Sequence, residues 1–145
     1  MKIEKLTRDQ IKDAFPLVWD VFCKYEAINY PENGKQAFWN AIHTSDYLNA
    51  LSAYGAFIDG KLVGIIALRN EGSHIALFFV NGQYHRQGIG RKLFEACLTD
   101  NANSRITVHS SEYAKEIYIK LGFIQKNEMQ EEGGIRYIPM VFERS

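Results

Sequence analysis

Apolar side chains recur at helical spacing through the first part of the chain. Thr7-Arg8-Asp9-Gln10 forms a capping box, which predicts that a helix begins after Thr7. Pro16 lies inside this pattern and predicts a kink or a split, since proline cannot donate a backbone hydrogen bond. Breaker residues at 30–34 precede a second predicted helix, and a short third one is expected over 45–51. The apolar positions that share a face of the first helix are Ile11, Ala14, Phe15, Val18, Val21 and Phe22.

Beyond residue 52 the pattern changes to that of β-strands. Two apolar runs, 53–58 and 62–68, flank Asp59-Gly60, which is a strong signal for a β-hairpin. Residues 73–80 are apolar almost throughout, which predicts a strand at the centre of the sheet. The remaining predicted elements are a helix opened by 88–90, a strand at 105–109, a helix at 112–121, and a last hairpin of strands at 123–129 and 135–142. This order predicts an α/β domain over residues 1–145, in which helices cover one mixed sheet.

Composition excludes several classes of protein. A chain of 145 residues, 46% of them hydrophobic, fits one domain with an ordinary core. Lys plus Arg and Asp plus Glu both number 17, so the basic surface of a nucleic-acid-binding protein is not expected. Cys23 and Cys97 lie far apart, which disfavours a metal site or a disulfide framework and favours a reducing, cytoplasmic setting. No segment has the pattern of a signal peptide or the length of a membrane span.

A glycine-containing loop follows the predicted central strand. Gly88 and Gly90 open a helix, where free backbone N–H groups and the helix dipole favour a bound anion. Arg86, Arg91 and Lys92 add positive charge around the same loop. Neither the Walker pattern nor the Rossmann pattern fits, because no Lys-Ser/Thr pair is in register and Leu93 stands where a small residue should pack. On its own, the loop is either a phosphate site or an ordinary strand-to-helix turn.

Two longer motifs resemble the GNAT superfamily of N-acetyltransferases. His85-x-x-Gly88-x-Gly90 resembles the family's acetyl-CoA signature Q/R-x-x-G-x-G/A, although His85 stands where Gln or Arg is usual. Downstream, the segment from Tyr118 to Phe123 resembles the family's Y-x-x-L-G-F. The order of predicted elements also agrees with this family along nearly the whole chain.

The resemblance implies a fold and a cosubstrate site. The sheet would open between a central parallel pair of strands, ending near Val80 and near His109, and acetyl-CoA would enter that opening. Backbone groups of Phe78 and Val80 would pair with the pantetheine amides, and loop N–H groups would hold the pyrophosphate. The acetyl-CoA-binding residues implied in this way are Phe78, Phe79, Val80, His85, Arg86, Gln87, Gly88, Ile89, Gly90 and Arg91.

The resemblance also implies acetyl transfer to an amine, with two catalytic groups. The Val80 amide would stabilise the oxyanion, and Tyr118 would protonate the departing thiolate. The general base stays open between His74, His109 and water. Glu26 and Glu32 are either attractors of a cationic amine or solvated helix residues.

The acceptor and the assembly are less constrained by the sequence. A small-molecule amine is the first expectation, and a peptide N-terminus or a lysine side chain is the second. A non-catalytic acyl-CoA-binding module is the alternative to an enzyme. A homodimer is compatible with the family, in which dimers are common.

Overall fold

The computed structural model describes residues 1–28 and 30–144 and has helices on both faces of a mixed sheet. Six helices are described: α1 (Arg8–Asp13), α2 (Phe15–Val21), α3 (Glu32–Ile42), α4 (Ser45–Asn49), α5 (Ile89–Thr99) and α6 (Lys115–Leu121). A π-helical turn (Phe22–Glu26) extends α2, and a 3₁₀ turn spans Gly82–Tyr84. The described strands are β1 (Lys2–Lys5), β2 (Ser52–Ile58), β3 (Lys61–Arg69), β4 (His74–Val80), β5 (Arg105–Ser110), β6 (Ile124–Gln125), β7 (Gln130–Glu132) and β8 (Ile135–Glu143).

The start of the helical region follows its local sequence signals. The Thr7 hydroxyl accepts a hydrogen bond from the Gln10 backbone N–H at 3.2 Å, and Gln10 Oε1 accepts one from the Thr7 N–H at 2.9 Å. The predicted capping box is therefore confirmed. Pro16 stands in the first turn of α2, and the predicted split lies just before it, between α1 and α2.

Three sequence predictions about elements need correction. The edge strand β1 was not predicted, because a run of four residues with three charges carries little strand signal. Of the predicted strand 123–129 only Ile124–Gln125 is a strand, because Asn127 accepts a hydrogen bond from the backbone N–H of Glu128 at 2.8 Å and interrupts the extended chain. β6 and β7 result, and the last hairpin joins β7 to β8. Helix α6 starts at Lys115 instead of Glu112, since the Ser111 hydroxyl first accepts the Ala114 N–H at 3.1 Å.

The sheet opens at its centre. Its strand order is β1-β2-β3-β4-β5-β8-β6, with β7 paired to β8 beside this path. The β4–β5 pair is parallel and is registered at His74 with Thr107 and at Ile75 with Val108. Past Ile75, β4 continues to Val80 without a paired residue of β5 among those described. The predicted splay of a central parallel pair is confirmed.

Helices fill the two faces of this sheet. One core packs α5 and α6 against the sheet around Leu93, Phe94 and Phe123. The other core packs α1 to α4 against the opposite face around Val18, Ile42 and Leu77. The cleft between β4 and β5 therefore lies between two well-packed layers, which hold its walls in place.

Candidate active site

Strand β4 presents unpaired backbone groups to the cleft between β4 and β5. The Asn81 N–H donates to the Val63 carbonyl at 2.8 Å, so this amide points toward β3. Because strand amides alternate in direction, the N–H groups of Val80 and Phe78 point to the opposite edge, into the cleft. An extended ligand with amide groups can pair with this edge as an added strand would.

The loop after β4 forms a concave array of backbone amides. Arg86 and Gly88 both have left-handed backbone, with φ of 64° and 80°. Alternation of such residues turns successive N–H groups toward one point, which is how backbone binds phosphate. Gly88 is the N-cap of the 11-residue helix α5, and no side chain caps that helix. A Cβ atom at Gly90 would lie 3.5 Å from Phe78 Cζ, so a side chain there would project beside the ring that lines the cleft.

Two motif side chains have structural roles of their own. The His85 Nε2 atom lies 2.6 Å from the Val80 carbonyl oxygen, so the imidazole ties the loop to the end of β4. The histidine at position 85, where Gln or Arg is usual, therefore makes a polar contact with the strand. The Arg91 guanidinium donates to the Lys120 carbonyl at 2.9 Å and joins α5 to the end of α6. The side chain of Arg91 thus stabilises the contact between α5 and α6.

A cavity of about 450 Å³ lies between the glycine loop, the end of β4 and α6, and we call it the loop-side cavity. It brings together all of the predicted acetyl-CoA-binding residues except Gln87, which is exposed. The unpaired β4 edge and the amide array suit the two parts of coenzyme A that carry amides and phosphates. The residues present therefore fit this cosubstrate. The lining residues on that list are Phe78, Phe79, Val80, His85, Arg86, Gly88, Ile89, Gly90 and Arg91.

A second cavity, of about 250 Å³, lies on the α3 side of the sheet, and we call it the hairpin-side cavity. Residues of the β7–β8 hairpin form one wall of it, and aromatic residues of the helical layer form another. Four residues line both cavities: Glu26, Phe78, Phe79 and Tyr118. The two cavities therefore meet at one carboxylate and one phenol.

Tyr118 is buried at this junction. Its ring meets that of Phe78 edge-on, with centroids 5.8 Å apart, and only 6% of the residue is exposed. Burial, with the nearby Glu26 carboxylate, raises the pKa of Tyr118 well above its usual value, so the phenol is neutral at pH 7. Among the described residues its hydroxyl has no hydrogen-bond partner. It is nevertheless not one of the fully buried polar atoms that lack a partner, since the described residues contain none. The hydroxyl is therefore not fully enclosed by protein atoms and is open to a ligand in the cavity.

Glu26 reaches the junction from the π-helical turn. The Ala27 N–H bonds to the Phe22 carbonyl at 2.8 Å, a wide turn of a kind often found at functional sites. Burial raises the pKa of Glu26 to about 7, and the Ser111 hydroxyl opposes this in part. A carboxylate with this pKa can accept a proton near neutral pH. Sequence reasoning named Glu26 only as an attractor of a cation.

A signal for the buried position of Glu26 exists in the sequence. Glu26 follows Phe22 by four residues and Val18 by eight, so it continues the apolar face of the helix. Glu32, the other acidic candidate, is exposed in the first turn of α3.

The two histidine candidates lie away from the loop. His74 is buried, with Nδ1 2.7 Å from the Thr107 hydroxyl, and its ring lies 4.8 Å from that of His109. Burial and the charge of Arg69 lower the pKa of His74 to about 4, and they lower that of His109 as well. Both line the hairpin-side cavity, and neither is among the residues that line the loop-side cavity.

Within residues 1–28 and 30–144, no group of acidic, histidine or cysteine side chains is arranged to hold a metal ion. In the same residues no helix has the length and hydropathy to cross a membrane.

Comparisons with solved structures identify the same fold in several proteins. A GCN5-related N-acetyltransferase from Rhodopseudomonas palustris superposes with a TM-score of 0.83 at 18% identity, covering 99% of this chain and 95% of that chain. The PaiA N-acetyltransferase of Thermoplasma acidophilum, solved with coenzyme A, gives 0.76 at 18% identity over 99% and 100% of the two chains. An aminoglycoside 6′-N-acetyltransferase, also solved with coenzyme A, gives 0.65 at 15% identity over 99% and 97%. No curated protein sequence matches the chain.

A family comparison covers most of the chain. The family model described as an acetyltransferase (GNAT) domain matches residues 26–144, a range that includes the glycine loop, the splayed strands and Tyr118. With this match, and with the shared fold, the chain belongs to the GNAT family of acetyltransferases.

Proposed function

We propose that this protein transfers an acetyl group from acetyl-CoA directly to the primary amine of a small molecule. The observation that carries the proposal is the junction of the two cavities at Glu26 and Tyr118. One cavity has the backbone chemistry that coenzyme A needs, and the other is a separate chamber for an acceptor. A base and an acid stand where the chambers meet.

The loop-side cavity would hold acetyl-CoA. Backbone amides of the loop from Arg86 to Arg91 would bind the pyrophosphate, and the free edge of β4 at Phe78 would pair with a pantetheine amide, which leaves the Val80 N–H for the reacting carbonyl. Acetyl-CoA supplies an acetyl group activated as a thioester. Because Gly90 has no side chain, the approach to the loop amides stays open.

The residues at the junction would move two protons. Glu26, with a pKa of about 7, would attract the ammonium form of the acceptor and take its proton, because only the neutral amine is a nucleophile. The Val80 N–H would donate to the carbonyl oxygen, where negative charge develops. The amine N–C bond forms as the C–S bond breaks, and neutral Tyr118 would give its proton to the leaving thiolate. As the amide forms, its nitrogen loses the second proton to the Tyr118 phenolate, which restores the phenol. The products are an amide, a thiol and the ammonium proton held by Glu26, which Glu26 then releases to solvent.

The direct experiment is a coupled measurement on the purified protein. It is incubated with acetyl-CoA and a panel of primary amines, and free thiol and acetylated amine are measured together. Amide and thiol formed in equal amounts are expected, with little thiol when the amine is omitted. Thiol without any amide would indicate a hydrolase. Binding of acetyl-CoA with no product from any amine or peptide would favour the non-catalytic binding module.

A further inference from the structure

The hairpin-side cavity contains an arginine that has no ionic partner in the part of the chain that the structure describes. Arg69 ends β3 and stands opposite His74 of β4, so both side chains lie on the sheet face that the α1–α4 layer covers. Arg69 is half-buried and lines this cavity. Among the described residues its guanidinium makes no ion pair and no hydrogen bond. Taking a guanidinium partly out of water without an anion is costly, so the position favours an anionic ligand.

The charge of Arg69 reaches several neighbours in the cavity. Burial lowers the pKa of His74 and His109 and the charge of Arg69 lowers it further, whereas burial raises the pKa of Tyr47 and Arg69 opposes that rise, so all three lie within its field. Burial acts on both histidines in the same direction, which leaves them neutral near pH 7. They add hydrogen-bonding groups around Arg69 without adding charge.

The two other charged residues of the β7–β8 hairpin that line the cavity, Arg136 and Glu132, have partners within the hairpin. Arg136 is exposed, and its Nε atom lies 3.6 Å from Glu131 Oε1. Glu132 is exposed as well and accepts a hydrogen bond from the Tyr137 hydroxyl at 3.4 Å. Among the described residues that line this cavity, Arg69 is then the guanidinium without a partner, and one such cation suits an anion of one charge, whereas a phosphate dianion calls for more cations. A carboxylate also matches the planar fork of arginine in a two-point contact.

The hairpin-side cavity therefore contains a carboxyl group where it meets the loop-side cavity and an unpaired guanidinium away from that junction. Glu26 lies at the junction with the loop-side cavity, whereas Arg69 does not line the loop-side cavity. A ligand whose amine faces Glu26 would direct its remaining groups toward Arg69.

We propose that the acceptor is a small primary amine that also carries a carboxylate, bound through the carboxylate by Arg69. This inference rests on the proposed acetyl transfer, because it assigns the part of the same cavity away from the junction. Arg69 is then a specificity-determining residue. The acceptor class is that of free amino acids and ω-amino acids.

Matched substrate pairs test the inference on the wild-type enzyme. Glycine, β-alanine, γ-aminobutyrate, δ-aminovalerate and phenylalanine are each compared with the carboxamide of the same skeleton, so only the negative charge changes. These compounds differ in the distance between amine and carboxylate, so the series covers a range of acceptor lengths. The acid form of the best pair is expected to have a kcat/KM about tenfold to a hundredfold higher, as for a hydrogen bond between charged groups.

Variants connect this preference to Arg69. Arg69→Gln should reduce the acid-to-carboxamide ratio of kcat/KM by about tenfold to a hundredfold, and Arg69→Lys should retain part of it. Arg105→Gln is the matched control, since Arg105 is exposed on β5 and pairs with Glu143 at 4.0 Å, away from both cavities. Thermal unfolding and acetyl-CoA binding of each variant show whether the fold and the loop-side cavity are intact.

Binding of products gives a second readout that does not need turnover. N-acetyl-δ-aminovalerate and its carboxamide are titrated in the presence of coenzyme A by calorimetry, with wild type and Arg69→Gln. Tighter binding of the acid, lost in Arg69→Gln and kept in Arg105→Gln, supports the inference even if no acceptor is acetylated and the proposed function fails. Equal turnover or equal binding of acids and carboxamides overturns it, while leaving acetyl transfer itself intact. Preferential turnover of peptide amides overturns it as well.

Discussion

At the residue scale, Tyr118 can be tested with the loss of one oxygen atom. Tyr118→Phe keeps the ring and its edge-on contact with Phe78, so the protein should fold and bind acetyl-CoA with little change. Without the phenol proton, turnover should fall by about 10²–10⁴-fold. Steady-state kinetics and acetyl-CoA titration measure the two effects separately. Tyr113→Phe is the control, because Tyr113 also lines the loop-side cavity but is exposed and lies outside the junction. Normal turnover by a folded Tyr118→Phe enzyme would transfer the acid role to water.

Glu26 should impose a pH dependence on the same reaction. Because the base must be ionised and the pKa of Glu26 is about 7, kcat/KM should rise with pH and level off above that value. Glu26→Gln should lose about 10²–10⁴-fold in turnover together with this rise. Glu32→Gln, an exposed neighbour in sequence, should keep both. A rise that persists unchanged in Glu26→Gln would assign it to another group.

Glu26 also has a stability consequence of definite sign. Its folded pKa lies above the value of about 4.5 in an unfolded chain, so the folded state binds the proton more tightly. Stability is then lost as pH rises from 4.5 to about 7. Relative to Glu26→Gln, the wild-type protein should lose up to about 3 kcal/mol between roughly pH 5 and pH 8. Urea unfolding of both proteins at the two pH values gives the difference, and a wild-type loss matched by Glu26→Gln would contradict it.

The sequence was informative about single residues only where a motif or a periodicity framed them. Tyr118 and the loop glycines stand in the two motifs that resemble the GNAT family. Cys97 shares a helical face with Leu93 and Phe94, and like them it is buried. The sequence offers His74 and His109 on the central strands as candidate bases, whereas the base proposed from the structure, Glu26, comes from a helical layer that packs onto the sheet. Arg69 could not be recognised, because an arginine at a strand end has the same pattern whether it faces solvent or a cavity.

At the element scale, the glycine loop can be tested without disturbing the core. The Cβ of a larger residue at Gly90 meets only the Phe78 ring, at ordinary contact distance, so Gly90→Val should fold. Its branched side chain would occupy the approach to the loop amides, and acetyl-CoA affinity should fall by about tenfold or more, a loss of about 1.4 kcal/mol. Calorimetric titration measures this. Gly60→Ala in the β2–β3 turn is a control glycine with no neighbour within 4 Å, and it should leave affinity unchanged. Unaltered binding by Gly90→Val would place the phosphates elsewhere.

Most elements could be predicted because their ends carry chemical signals. The capping box at Thr7, the proline at α2 and the Asp59-Gly60 turn each fix a boundary through local hydrogen bonding or backbone preference. The π-helical turn has no such signal, since its wide bond depends on how α2 packs on the sheet. The short strands β6 and β7 depend on pairing with β8, which is tertiary information.

At the scale of the whole molecule, acetyl-CoA should stabilise the fold. A ligand at about one hundred times its dissociation constant adds roughly 2.7 kcal/mol to the free energy of unfolding. For a chain of this size that raises Tm by several degrees. Thermal unfolding with acetyl-CoA, ATP and NADH checks the effect, and acetyl-CoA should act much more strongly than the other two. No shift at millimolar acetyl-CoA would contradict the assignment of the loop-side cavity.

Because β4 and β5 are registered at only two residue pairs, few hydrogen bonds connect the meander β1–β4 to the strands β5 and β8. The Phe78 and Val80 amides at this seam should exchange their hydrogens with deuterium quickly in the free protein, despite their central place in the sheet. The pantetheine arm of a bound cosubstrate would lie along β4 as an added strand and connect the two parts of the sheet. Hydrogen exchange of the Phe78 and Val80 amides should then slow, while exchange in the β2–β3 ladder changes little. The sheet would be connected by hydrogen bonds across its centre only while the cosubstrate is bound.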